Sequence, residues 1–173
     1  HYEARGIRVV FCPCPSTTAL REVFDQRLHP ESRGYFVCFS DDACLSIRSA
    51  GSILRFNLDI SSCDKSHTDA LFRLFDYLCP DEEAASTLLA QCRAPCVIYG
   101  ISRGKRDSSR RAELRSAGHF LYSGSILTIL MNNLANYLIY LAISEIEGDI
   151  TAAKLTRAAS RAGYLIIVEA CST

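Results

Sequence analysis

The sequence predicts an α+β fold: an antiparallel sheet backed by helices. Two observations carry this. Three consecutive β-prone runs between Tyr35 and Asp59 are joined only by tight turns, and four helical segments follow, each with its own start or stop signal. With 173 residues, 49% of them hydrophobic, the chain is long enough for one domain with a real core.

The strands come first because the rest of the chain is organised around them. Tyr35–Phe39 is the first run, Ser40-Asp41-Asp42 turns it, and Ala43–Arg48 runs back. Ser49-Ala50-Gly51-Ser52 makes the second turn, and Ile53–Asp59 is the third strand. Aspartates suit the first turn because they tolerate positive φ; Gly51 suits the second. Centring the second turn on Ala50 and Gly51 sets Ala43 opposite Leu58, Leu45 opposite Phe56 and Ile47 opposite Leu54. On the other face Asp42 meets Asp59, Cys44 meets Asn57 and Ser46 meets Arg55. A slip of one residue would mix the two faces, so the register is well specified.

That register has a chemical consequence. It carries Asp41 or Asp42, a bulge deciding which, next to Asp59. Carboxylates crowded on one sheet edge repel, and burial worsens the repulsion. Oxygen-only ligation by aspartates at a strand end suits Mg²⁺ or Mn²⁺.

The remaining elements follow in order. Ile7–Cys12 reads as a strand ending in a turn at Pro13 and Pro15, and Thr17 caps a helix through Leu28. After Asp59, residues 60–66 turn into a helix. Ser66 with Asp69 resembles a capping box, and Leu71, Phe72, Leu74, Phe75 and Leu78 form the buried stripe. Asp59 and Asp64 then lie on the same rim. A second helix starts after Pro80, with Asp81, Glu82 and Glu83 capping it. Cys96–Ile101 is a strand. Thr151 caps a last helix over 152–162, Gly163 ends it, and Tyr164–Glu169 closes the chain as a strand.

Two further stretches bear on function. Residues 103–115 hold six basic side chains (Arg103, Lys105, Arg106, Arg110, Arg111 and Arg115) against two acidic ones. The run reads either as a solvated loop or as a surface that neutralises phosphates. Ser123-Gly124 opens a long apolar helix through about Ile143. Its length suits a membrane span, but Thr128, Asn132, Asn133 and Asn136 interrupt it, so it is predicted to be a core helix. Thr128 and Asn132 share one face, where they serve either as satisfied core polars or as hydrogen-bonding groups for a sugar edge.

Composition narrows the classes. The formal net charge is zero, and nine cysteines lack the paired spacings of a zinc site. They read as reduced, semi-buried thiols of a cytosolic protein. His1, His29 and His119 are isolated. A chain opening at His1 rather than Met reads as part of something longer.

Together these pieces resemble the palm domain of viral RNA-dependent RNA polymerases. Phe-Ser-Asp-Asp (39–42) between two strands is similar to that family's motif C, Asp59-Ile-Ser-Ser-Cys-Asp64 to motif A, and Ser123-Gly124-x3-Thr128-x3-Asn132 to motif B. The final helix–Gly–strand is similar to motif D. The order C-A-B resembles the permuted enzymes of permutotetraviruses and birnaviruses. The resemblance covers Tyr35 to Glu169.

What it implies is a palm, a ferredoxin- or RRM-like antiparallel sheet backed by helices, in circularly permuted order. One palm domain would fill 1–173. It would comprise an N-terminal strand and helix (1–34), the motif C hairpin (35–48), the motif A strand and helix (53–78), a basic loop (103–115), the motif B helix (123–143) and a motif D-like helix and strand (152–169). Fingers and thumb are not recognisable, and the motif D lysine would fall near or beyond Thr173.

The implied activity is template-directed RNA synthesis by two-metal nucleotidyl transfer. Asp41, Asp42 and Asp59 would hold two Mg²⁺ or Mn²⁺ ions. Asp64, Ser123 and Asn132 would read the ribose 2′-hydroxyl, with Gly124 flexing and Thr128 in support. The implied partners are an RNA template with its primer or product strand, and NTPs, with Arg103, Lys105, Arg106, Arg110 and Arg111 as phosphate contacts. The implied location is the host cytoplasm. The alternatives are another palm nucleotidyltransferase, such as a reverse transcriptase, and a non-catalytic palm-like RNA-binding module.

Overall fold

The computed structural model describes residues 2–12, 16–18, 32–102 and 105–171, with side chains placed except over 101–108. The expected Pro13–Pro15 turn, most of the helix from Thr17, Arg103 and the position expected for a motif D lysine lie outside the described residues.

The fold is α+β. Six strands form the main sheet: β1 (Tyr2–Ala4), β2 (Ile7–Phe11), β3 (Gly34–Phe39), β4 (Asp42–Ser49), β5 (Ser52–Ile60) and β8 (Ile166–Cys171). Their spatial order is β1-β2-β3-β4-β5-β8. Every neighbouring pair is antiparallel except β2 with β3, which is parallel. A separate two-stranded hairpin is made by β6 (Cys96–Ser102) and β7 (Lys105–Leu114). The helices are α1 (Cys63–Ser66), α2 (Asp69–Leu78), α3 (Glu82–Arg93), α4 (Leu127–Ser144) and α5 (Ala152–Arg161).

The meander pairs as residue type predicts. Ala43 faces Leu58, Leu45 faces Phe56, Ile47 faces Leu54, and Asp42 faces Asp59. Ala50 and Gly51 both take positive φ, 45° and 83°, between the closing pair Ser49 and Ser52. That is the signature of a I′ turn, whose twist matches the strands it joins. The first turn differs from expectation. Its left-handed residue is Ser40 (φ 81°), and neither aspartate takes positive φ. Phe39 pairs with Asp42, leaving Ser40 and Asp41 as a two-residue loop.

The helices cover the apolar face of the sheet. Ile7, Phe36, Leu45, Ile47 and Leu58 meet Met131, Ile139, Tyr140, Ile143 and Leu155 in one core. By length and composition α4 could cross a membrane, yet half of it is buried inside the protein. Its Tyr140 hydroxyl accepts from the Ala4 amide (2.7 Å) and donates to the Ile7 carbonyl (2.6 Å), tying the helix to β1 and β2. It packs as a core helix.

Several boundaries correct the sequence reading. The N-cap of α2 is Thr68; Ser66 instead ends α1 and donates its hydroxyl to the Cys63 carbonyl (2.7 Å). Leu71, Phe72 and Phe75 are buried, but Leu74 is only half-buried and Leu78 is 56% exposed at the helix end. The run expected as a basic loop is strand β7: once β6 is extended, the chain doubles back and pairs with it. α4 begins at Leu127, after a turn through Ser123 and Gly124 (φ 81°). The last strand lies two residues later than expected, at Ile166–Cys171. Asp81 and Thr151 cap α3 and α5 as predicted, accepting from the Ala84 and Lys154 amides.

Candidate acidic site at the β3–β4 turn

Three segments converge at one end of the sheet: the Ser40–Asp42 turn, the end of β5 with α1, and, from far along the chain, the first half of α4. Alternation along β4 and β5 puts Asp42 and Asp59 on the same face, directly opposite each other. The end of β5 and the left-handed Ser62 (φ 51°) then swing the chain into α1, with Asp64 in its first turn. Asp41, Ser62, Cys63, Asp64 and Lys65 line an open depression of about 270 Å³.

The electrostatics are those of a crowded acidic rim. Asp42 is raised above the usual carboxylate range by partial burial and then by the charges of Asp41 and Asp59. Cys63 lies beneath the rim with its thiol pushed up to about 12, first by burial and then by Asp41, Asp64, Asp59 and Asp42. All four aspartates therefore act on one point, and Cys63 is held as a neutral thiol. Among the described residues none of the four forms an ion pair, and Lys65 is the one cation lining the depression.

These donors have the chemistry of a hard divalent-cation site: oxygen-only, anionic and, among the described residues, in no ion pair with a protein cation. Their spacing is looser. Among the described residues no three His, Cys, Asp or Glu side chains converge closely enough to hold an ion as they stand.

Behind the rim is a hydrogen-bonded layer that sequence reasoning missed in part. Asn136 donates to the Ser40 carbonyl (2.6 Å) and Asn132 to the Ser40 hydroxyl (3.4 Å). The Asn132 carbonyl oxygen lies 2.9 Å from His67 Nε2. His67 is buried, and burial lowers its pKa against the opposing pull of the Asn132 bond and Asp64. From sequence, Asn136 is named only as an interruption of the apolar helix, and His67 is not named. The available signal was a polar residue on an apolar helix stripe, and Asn136 carried it as plainly as Asn132.

The other expected site residues fall as follows. Asp41, Asp42 and Asp59 are exposed on the rim, and Asp64 is half-buried beside them. Asn132 is 1% exposed with both ends of its amide bonded inside the protein. Thr128 bonds to the Tyr122 carbonyl and Ser125, bracing the turn before α4. Ser123 and Gly124 are exposed on that turn. Among the described residues no hydrogen bond joins Ser123 to Asp64 or Asn132. Arg110 and Arg111 are exposed on β7; Arg111 and Arg115 pair with Glu113. The side chains of Lys105 and Arg106 lie outside the described residues. His119 is not isolated: it stacks on Phe72 and bonds to Asp69. The described cysteines are free thiols.

In comparisons with known proteins, no family model matches the chain, and no curated protein matches it.

Proposed function

We propose that the chain is the palm of an RNA-directed RNA polymerase in the permuted order C-A-B, acting in the host cytoplasm in template-directed RNA synthesis. The observation that carries this reading is the facing pair Asp42–Asp59, flanked by Asp41 and Asp64 on one rim and backed by the motif B-like helix α4. Motif C-like and motif A-like aspartates share one end of the sheet, and the motif B-like Asn132 bonds to the Ser40 turn between them. A mixed sheet with backing helices is compatible with a palm, although many other α+β domains share that description.

Asp41, Asp42 and Asp59 would hold the two Mg²⁺ or Mn²⁺ ions. Their exposed side chains are free to change rotamer and close around a cation. When bound, the ions supply activation of the attacking 3′-hydroxyl and neutralisation of the departing pyrophosphate. The chain's own residues do the positioning. Asp59 projects from β5, which is paired on both sides by β4 and β8, Asp42 from the start of β4, and Asp41 from a turn gripped by α4. Asp64 and Ser123 remain accessible for a ribose hydroxyl. The basic strand β7 presents Arg110 and Arg111 for the phosphates of template and product.

The test is primer extension on an RNA template with Mn²⁺ and either NTPs or dNTPs. NTP-selective extension, lost in Asp59→Asn and Asp41→Asn, supports the reading. Equal use of both nucleotide types points to a different palm nucleotidyltransferase.

Two observations favour a second reading, a non-catalytic palm-like RNA-binding module. Asn132 is committed to interior bonds, and the carboxylates stand apart. That reading expects RNA binding with no response to Mn²⁺.

A further inference from the structure

The Ser40 turn combines two features that need each other. A serine at φ 81° sits in a region that costs a non-glycine residue energy, so something must hold it there. The two-residue β3–β4 turn demands that conformation, and α4 braces it: Asn136 donates to the Ser40 carbonyl and Asn132 to its hydroxyl. Both asparagines are 1% exposed.

The Asn132 amide is itself oriented. With the Asn132 carbonyl oxygen 2.9 Å from His67 Nε2, the bond is the one made by the tautomer protonated at Nε2. Nδ1 is then the bare nitrogen, and it is buried without a partner. His67 follows α1 directly, so it joins the Asp64 segment to the helix that grips the Asp41–Asp42 turn.

We propose that His67, Asn132 and Asn136 are positioning residues for the acidic rim, and that Asn132 acts through Ser40 rather than by touching a ribose. The proposal rests on the polymerase reading of the rim and changes the role that the motif implies for Asn132. Turning Asn132 outward to a sugar would leave the His67 Nε2–H and the Ser40 hydroxyl without their partners in a largely buried place. In its present position Asn132 instead makes the aspartate turn and the Asp64 segment move as one piece.

The experiment uses the full chain and two readouts. The first is amide hydrogen exchange at Ser40–Asp42, with the β8 amides as an internal reference. The second is the Mn²⁺ concentration that gives half of the metal-induced rise in melting temperature. His67→Phe and Asn132→Ala are expected to speed exchange at the turn selectively and to raise the Mn²⁺ midpoint about tenfold, as lost outer-shell support does. The double variant should be no worse than Asn132→Ala alone, because that substitution already removes the His67 link together with the Ser40 one. His67→Gln, which returns an N–H donor, should recover most of the midpoint. Ile139→Val, a core control, should lower the melting temperature and leave the midpoint alone.

The proposal is overturned if His67→Phe leaves both readouts at wild-type values. It is equally overturned if Asn132→Ala weakens NTP-over-dNTP selection with the midpoint unchanged. A wild-type protein indifferent to Mn²⁺ removes the polymerase reading and this inference with it. A wild type that responds to Mn²⁺, with His67→Phe and Asn132→Ala variants that keep its midpoint, removes the inference alone.

Discussion

Asp42 and Asp59 stand opposite each other across β4 and β5, two like charges side by side on one sheet surface. An antiparallel ladder is normally weakened by such a pair, so the arrangement costs stability unless something positive lies between them. Removing one charge should therefore have opposite effects with and without divalent cation. In chelator, Asp59→Asn should stabilise the protein by about 0.2–1 kcal/mol. In Mn²⁺, wild type should gain stability and the variant should not. Thermal melts under both conditions decide it; a variant that tracks wild type throughout would remove the shared-cation argument.

The same crowding predicts a pH dependence. Asp42 is raised by partial burial and by Asp41 and Asp59, so the folded state holds its proton more tightly than the unfolded chain does. Its contribution to stability is thus fully present below the unfolded carboxylate value and is lost as pH rises through the folded one. Asp42→Asn removes this dependence. Without divalent cation, wild type should fall progressively below Asp42→Asn as pH rises through the carboxylate range toward neutrality. Melting curves of both proteins across that range are the check, and parallel profiles would contradict it.

Tyr140 anchors α4 to the edge of the sheet with one buried hydroxyl that both accepts and donates. Tyr140→Phe keeps the ring and strands the Ala4 amide and the Ile7 carbonyl. The expected cost is about 1–3 kcal/mol in denaturant unfolding, the range for buried groups left unpaired. A loss below a few tenths would mean that water replaces the hydroxyl.

Gly34 is buried where β3 passes against β4. A Cβ there would come within 2.6 Å of the Ser46 carbonyl oxygen and 3.3 Å of Ile47. The nearest atom is sheet backbone and cannot swing aside. Gly34→Ala should therefore destabilise by about 1–3 kcal/mol, the usual cost of overpacking. Circular dichroism melts with a wild-type midpoint would show that the strands can part.

Much of this was legible in the sequence, for identifiable reasons. The register of the meander followed from residue type, because apolar and polar faces alternate strictly and a slip exposes the core. Caps at Asp81 and Thr151 were readable because the capping side chain is local. Ser66 misled, since a short preceding helix moved the true start of α2 to Thr68. The β7 strand was hidden by its charge: its sequence has no apolar alternation to betray it, and its described side chains, 109–114, are exposed on a two-stranded hairpin. His67 was hidden for a different reason. Its partner lies on α4, and no local pattern announces a hydrogen bond between residues that only the tertiary fold brings together.

The two-residue turn at Ala50–Gly51 has a consequence for the order in which the molecule assembles. Because it joins β4 directly to β5, the Asp42–Asp59 pair depends on local contacts and forms on the timescale of a hairpin. Helix α4 arrives from a distant part of the chain, over a much larger loop closure. The nascent protein thus has its electrostatic repulsion before it has the clamp on Ser40, and a divalent cation in the refolding buffer should speed the first step more than the second.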